Sequence, residues 1–146
     1  KNFENLELFN ADLNNNFTVT FDKTFKVNNY DFKSTGKILK AKLDFNNPIQ
    51  NNLLDKKIEN FSIIDADIES IFKSNYRNTK LLGKYTINDT KQLNFDLKNI
   101  IKKDDIELTL KCDFDEKINL DFINFSKASG KKAEIFINLK KNENIT

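Results

Sequence analysis

The sequence contains no histidine and no tryptophan, one cysteine, one proline, one arginine and three glycines. Without histidine, the chain lacks the usual general base near neutral pH and the commonest ligand of transition metals. A single cysteine, Cys112, with no histidine excludes a Cys–His zinc site. The same shortage leaves serine and cysteine nucleophiles without their normal proton acceptor. It also rules out an intrachain disulfide. Arg77 is the only arginine among the 24 basic residues, the others being lysine. Arginine is the side chain suited to bidentate recognition of phosphate, so its scarcity argues against a dedicated phosphate site. No unbroken apolar run approaches the roughly 20 residues of a membrane-spanning helix. Few glycines and one proline leave little material for tight corners, although asparagine can also occupy left-handed turn positions.

Charge is abundant but balanced. Charged residues make up 32% of the chain and the formal net charge is +2. A general nucleic-acid binder would carry a clear basic excess, so no nucleic-acid partner is expected. The chain begins at Lys1 rather than methionine, which is read here as a segment of something longer. Its 146 residues suit a single β-rich unit over 1–146.

What the sequence does contain is alternation. DIELTLKCDF (105–114) sets Ile106, Leu108, Leu110, Cys112 and Phe114 against Glu107, Thr109, Lys111 and Asp113. NFTVTF, GKILKAKLDF, FSIIDADIESIF, LLGKYTI, QLNFDL, KINLDFINF and AEIFINL repeat the period of two, which marks half-buried strands. In GKILKAKLDF the apolar side is Leu39, Ala41, Leu43 and Phe45; in FSIIDADIESIF, Ile64, Ala66 and Ile68 share a side. Asn28-Asn29 shifts the phase, as a bulge does. Asn46-Asn47-Pro48 is expected to break its strand. After it, Ile49, Leu53, Leu54 and Ile58 form either a short helical stripe or part of a loop. About ten short-connected strands predict an all-β, antiparallel meander with one wet face. Its apolar face can be hidden in three ways: a β-sandwich, a closed barrel, or a curved open sheet forming a trough. An outer-membrane barrel fits poorly, because it carries aromatic girdles and this chain has three Tyr against fourteen Phe.

The candidate chemistry is sparse. Asp65, Asp67 and Glu69 occupy one strand face at every second position, but no glycine-containing acidic loop accompanies them, and a solvated face is the expected reading. No pair of carboxylates stands out as a catalytic couple. The lysine pairs 56–57, 102–103, 131–132 and 140–141 suit edges and loops that resist aggregation, with contact to anionic headgroups as the sharper alternative. Cys112 shares the apolar parity and is expected to pack as a small hydrophobe. No catalytic residue, metal or cofactor is expected.

The stretches NNYDFKSTGKILKAKLDFNNPI, LLGKYTINDTKQLNFDLKN and INLDFINFSKASGKKAEIFINLKK resemble, in strand rhythm and order, the interior of AsmA-like proteins, a group that includes the TamB and YhdP types. The resemblance runs from about Phe17 to Lys141 and rests on no catalytic motif. It implies a periplasmic body of repeated β-groove units, open and taco-shaped, anchored in the inner membrane by a segment outside this one. It also implies a non-enzymatic role in carrying phospholipids between the inner and outer membranes of Gram-negative bacteria and in outer-membrane assembly. The implied partners are phospholipid or another acyl-chain lipid, neighbouring groove segments of the same chain, and membrane reached through other regions. The alternation itself nominates the lining: Leu39, Ala41, Leu43, Leu93, Phe95, Leu97, Ile106, Leu108, Leu110, Ile118, Leu120 and Phe122. The competing expectation is a structural or adhesin-like β-domain with a filled core.

Overall fold

The computed structural model of the chain describes residues 5–50, 56–103 and 105–141. Its elements are β1 (Leu6–Phe21), β2 (Val27–Ile49), β3 (Ile58–Lys73), β4 (Tyr76–Ile87), β5 (Leu93–Lys102), β6 (Asp105–Phe114), β7 (Ile118–Leu120), a 3-10 turn (Asp121–Ile123), β8 (Phe125–Lys127) and β9 (Ala133–Lys141). Seven strands form one antiparallel sheet in the order β1-β2-β3-β4-β5-β6-β9. The fold is therefore an all-β meander. β1 and β9 are its edges, so the sheet is not closed into a barrel. Among the described residues the only other sheet is the β7–β8 hairpin, so no second layer makes a sandwich.

Residues paired across strands share a face, so the register sorts the side chains. One row reads Leu13, Gly36, Ile68, Leu81, Leu97, Leu110 and Ile137; another reads Phe9, Ala41, Ile63, Tyr85 and Leu93. That face is apolar. On the other face, directly opposed pairs carry opposite charge: Asp31 with Lys73 (2.9 Å), Glu69 with Lys80 (3.1 Å) and Glu107 with Lys140 (3.3 Å). Exposed pairs of this kind contribute about 0–1 kcal/mol each. They favour the correct register more than they stabilise the fold, because a slip of one residue would bring apolar side chains to water.

The sheet bends along a line of irregularities. Lys40 pairs with Ile64 and Ile38 with Ala66, while Leu39 and Asp65, between them, have no ladder partner. β1 opposes this stretch of β2 with one residue fewer, and β4 does the same to β3. Leu39 and Asp65 (φ 53°) are thus the extra residues of two bulges set side by side. Bulges increase local twist and bend. Ala66 is fully buried here, and a side chain at Gly83 would come within 2.5 Å of it. Nearby, Gly36 has φ +150°, and a Cβ on it would sit 2.1 Å from the Asp12 carbonyl oxygen. Bending brings Ile38, Ala66, Tyr85, Leu93 and Phe95 into one buried cluster.

Several expectations need correction. Leu39 is the bulged residue and is 45% exposed; Ile38 takes its place in the core. The bulge at Asp65 likewise puts Ile63, not Ile64, on the face of Ala66 and Ile68. The Asn46-Asn47-Pro48 stretch does not end its strand. β2 continues to Ile49, although its ladder to β3 lapses between Asp44 and Ile49, where proline's missing N–H is tolerated. Ile49 and Ile58 pair with each other, whereas Leu53 and Leu54 lie outside the described residues. Ile118, Leu120 and Phe122 do not form a strand of the main sheet. They belong to the excursion between β6 and β9, whose three-residue strands pair only with each other. The phase shift at Asn28-Asn29 is present: the β1–β2 register slips between Thr20 and Phe21.

The close approach at Gly36 predicts a specific sensitivity. Gly36→Ala introduces both a strained φ and a backbone clash, and should lose about 1–3 kcal/mol in urea unfolding. Gly130 also has a positive φ, but nothing lies within 4 Å of its would-be Cβ. Gly130→Ala should therefore lose clearly less, and equal losses would contradict the close approach of β1 and β2.

Candidate functional site: an apolar hollow on the bent face

The apolar face is filled at the bend and open beyond it. On the β3–β6 and β9 side it encloses a hollow of about 370 Å³. Phe61, Ile63, Tyr85 and Ile87 form one wall, Phe95 and Leu97 the floor, and Leu110, Cys112, Phe114, Ile135 and Ile137 the other wall. Tyr85 organises the first wall. Its ring stacks on Phe61 (centroids 5.8 Å apart) and meets Phe95 edge-on at 6.2 Å. Its hydroxyl donates to the Asp113 carbonyl, so the polar tip is satisfied and the ring is left to the hollow. Burial pushes the Tyr85 phenol well above the ordinary tyrosine range. Burial also raises the Cys112 thiol. Both groups therefore stay neutral at physiological pH, and no charged side chain of the described residues lines the hollow.

Of the nominated lining residues, Ala41 and Leu43 share this face with Ile63 and Phe61, and Leu93 and Phe95 are buried at its floor. Leu97, Leu108 and Leu110 follow in register, and Ile106 lies near the far end opposite Ile101. Leu39 stands outside the face, as do Ile118, Leu120 and Phe122; Phe122 is 81% exposed. Ile135 and Ile137 belong to the lining and carry the same alternation in AEIFINL. Phe61, Ile63, Tyr85 and Ile87 belong to it as well. Ile63 has no signal in a strict period of two, because the Asp65 bulge changes the phase.

The two ends of the face differ. At one end the excursion between β6 and β9 folds back. Lys127, only 9% exposed, donates to the Glu116 carbonyl at 2.7 Å and sets its ammonium 5.6 Å from the centre of the Phe114 ring. Toward the other end a polar row crosses the face: Asn15, Ser34, Ser70, Thr79 and Asn99, with the Ser70 hydroxyl 3.2 Å from that of Thr79. Beyond it lie Phe17, Phe32, Phe72, Arg77, Ile101 and Ile106.

Many carboxylates on the outer face are tied to lysines. Lys37 reaches Asp65 at 2.8 Å and Asp67 at 4.0 Å, and its hydrogen bond holds Asp65 below the usual carboxylate range. Among the described residues no group of three His, Cys, Asp or Glu is placed to hold a metal ion. Among the same residues no helix is long and apolar enough to cross a membrane. No family model matches the chain, and no curated protein or solved structure matches it.

Asp113 ties β5, β6 and the start of β9 together at the rim. Its carboxylate accepts from Lys132 at 3.0 Å and from the Asn94 amide at 2.7 Å. These partners, Lys132 first, hold it below the ordinary aspartate value of 3.8. A depressed carboxylate stabilises the fold above its unfolded pKa, and that contribution disappears as pH falls through the lower folded value. Stability in urea should therefore decline on acidification below about 3.8. Asp113→Asn should flatten part of that decline, and an unchanged acid profile would contradict the pairing.

Proposed function

We propose that this chain is a non-catalytic segment of a periplasmic AsmA-like protein whose β-groove shields lipid acyl chains, in support of phospholipid transport between inner and outer membranes and of outer-membrane assembly. The observation that carries the reading is the hollow itself: about 370 Å³, walled by aliphatic and aromatic side chains, on an open sheet that no second layer of the described residues covers. A groove of this composition offers neither charge nor directional hydrogen bonds. What it offers is removal of apolar surface from water, worth about 0.8 kcal/mol per buried methylene. Ten methylenes contribute about 8 kcal/mol on that scale, before the ordering of the lipid is subtracted. The strand rhythm shared with AsmA-like proteins supplies the periplasmic setting, the inner-membrane anchor beyond this segment, and neighbouring groove segments that would extend the lining past β1 and β9.

A structural or adhesin-like β-domain with a filled core is the second reading. The buried cluster of Ile38, Ala66, Tyr85, Leu93 and Phe95 favours it. That cluster, with Leu97, Leu110 and Cys112 packed against it, fills the bend and leaves the β9 side of the face open.

Mass spectrometry of the purified full-length protein tests the choice. Phospholipid should co-purify with the wild type. Leu110→Asp, on the lining, should lower its yield at least about tenfold, because a carboxylate in an apolar site is strongly disfavoured. Lys111→Asp, its neighbour on the outer face, should leave the yield unchanged. Wild-type protein free of lipid would favour the filled-core reading, and folded Leu110→Asp protein that retains its lipid would contradict the lining.

A further inference from the structure

The single arginine of the chain lies on the apolar face. Arg77 pairs with Phe72 on one side and Ile101 on the other, in a row that otherwise reads Phe17, Phe32, Phe72, Ile101 and Ile106 before ending at Lys141. The ring contacts Phe17–Phe32 (6.3 Å) and Phe32–Phe72 (5.9 Å) place three of these side chains together on the face. An arginine next in such a row calls for an explanation, since the lysines that pair with carboxylates on the sheet meet them on the outer face or at the rim.

Arg77 has no such partner. Among the described residues no carboxylate lies within salt-bridge distance of it, nor of Lys103. The two cations flank one cleft of about 460 Å³ between the β3–β4 and β5–β6 turns, lined by Ser74, Asn75, Tyr76, Arg77, Ile101 and Lys103. The turns are fixed to each other: the Lys103 N–H donates to the Asn75 carbonyl at 3.0 Å, with Lys103 at φ 52°. The cleft therefore has a held backbone, two positive charges with no carboxylate of the described residues within salt-bridge distance, and hydroxyl and amide groups able to donate. Like charges brought together on a surface repel, and an anion between them removes the repulsion.

We propose that Arg77 and Lys103 form a phosphate-binding site at the turn end of the apolar face. The Arg77 guanidinium grips two phosphate oxygens as a fork, and the Lys103 ammonium acts as a point charge. Ile101 belongs to both the cleft and the apolar row, and beside the polar row at Thr79 and Asn99 the face continues through Ile106, Leu108 and Leu110 of β6, so a phosphate held here leaves an attached hydrocarbon chain a path along β6 to the lining. The extension to a lipid headgroup rests on the groove reading above; the phosphate chemistry does not. The scarcity of arginine, which as sequence argued against such a site, thus takes the opposite sense once the one arginine is located.

Isothermal titration of the full chain with three probes separates these points: dodecyl phosphate, the neutral dodecyl maltoside, and inorganic phosphate. Dodecyl phosphate should bind about tenfold more tightly than dodecyl maltoside, the scale of one charge-assisted bidentate contact. Arg77→Gln and Lys103→Gln should each bring that ratio toward one, with circular dichroism unchanged. A ratio unaffected by both substitutions overturns the phosphate site and leaves the groove standing. Inorganic phosphate binding as tightly as dodecyl phosphate, and lost in Arg77→Gln, upholds the site and overturns its link to lipid. Absence of binding by all three probes overturns the site and the groove together.

Discussion

A sheet with one apolar face must bend until that face touches itself or be covered by something else. Everything in this structure follows from how far the bending goes. The extra residues Leu39 and Asp65 sit side by side in β2 and β3, and the adjacent strands close up where Gly83 faces Ala66 and Gly36 faces Asp12. Any side chain at Gly83, or a larger one at Ala66, would hold the strands apart. The bend gathers Ile38, Ala66, Tyr85, Leu93 and Phe95 into the only extensive dry packing among the described residues. Its packing extends to Leu110 and Cys112 of β6 but not to β9, and there the lining stays open.

This division gives the molecule a stable part and an available part. The filled bend supplies tertiary packing, the main source of net stability in a small β domain. The outer lysine–carboxylate pairs add little individually but penalise wrong register. The open part has a different character. Tyr85 has its hydroxyl engaged, Cys112 is held as a neutral thiol, and the remaining walls are aliphatic or phenyl. Such a surface recognises shape and greasiness, not functional groups. Specificity, where it exists, has to come from the ends of the face, and the two ends are chemically distinct: a folded-back excursion over Phe114 at one, Arg77 and Lys103 at the other.

Much of this was legible in the sequence because period-two alternation reports directly on a one-sided sheet. LNFDL and DIELTL place Leu93, Phe95, Leu97, Ile106, Leu108 and Leu110 on the correct face, and short connections foretold the antiparallel meander. The absence of a barrel or sandwich could not be read, since alternation is identical in all three. Alternation also fails wherever a bulge changes its phase. Leu39 and Ile64 continue the written pattern but leave the face, and Ile38 and Ile63 enter it instead. INLDF has the same rhythm as LNFDL, yet forms a short hairpin outside the main sheet, because partner choice is a tertiary matter that no local period encodes. Arg77 was visible only as a count. Its meaning came from the register, which set it among phenylalanines.

The proposed groove requires acyl chains on the inner face and water on the outer face. Photo-crosslinking scanned along β6 of the full-length protein in cells reads this directly. A photoreactive residue placed in turn at positions 106 to 111 should label lipid at Ile106, Leu108 and Leu110 and fail to do so at Glu107, Thr109 and Lys111. Labelling that alternates with this period is the result the account predicts. Labelling without alternation, or none at the three lining positions, would contradict it.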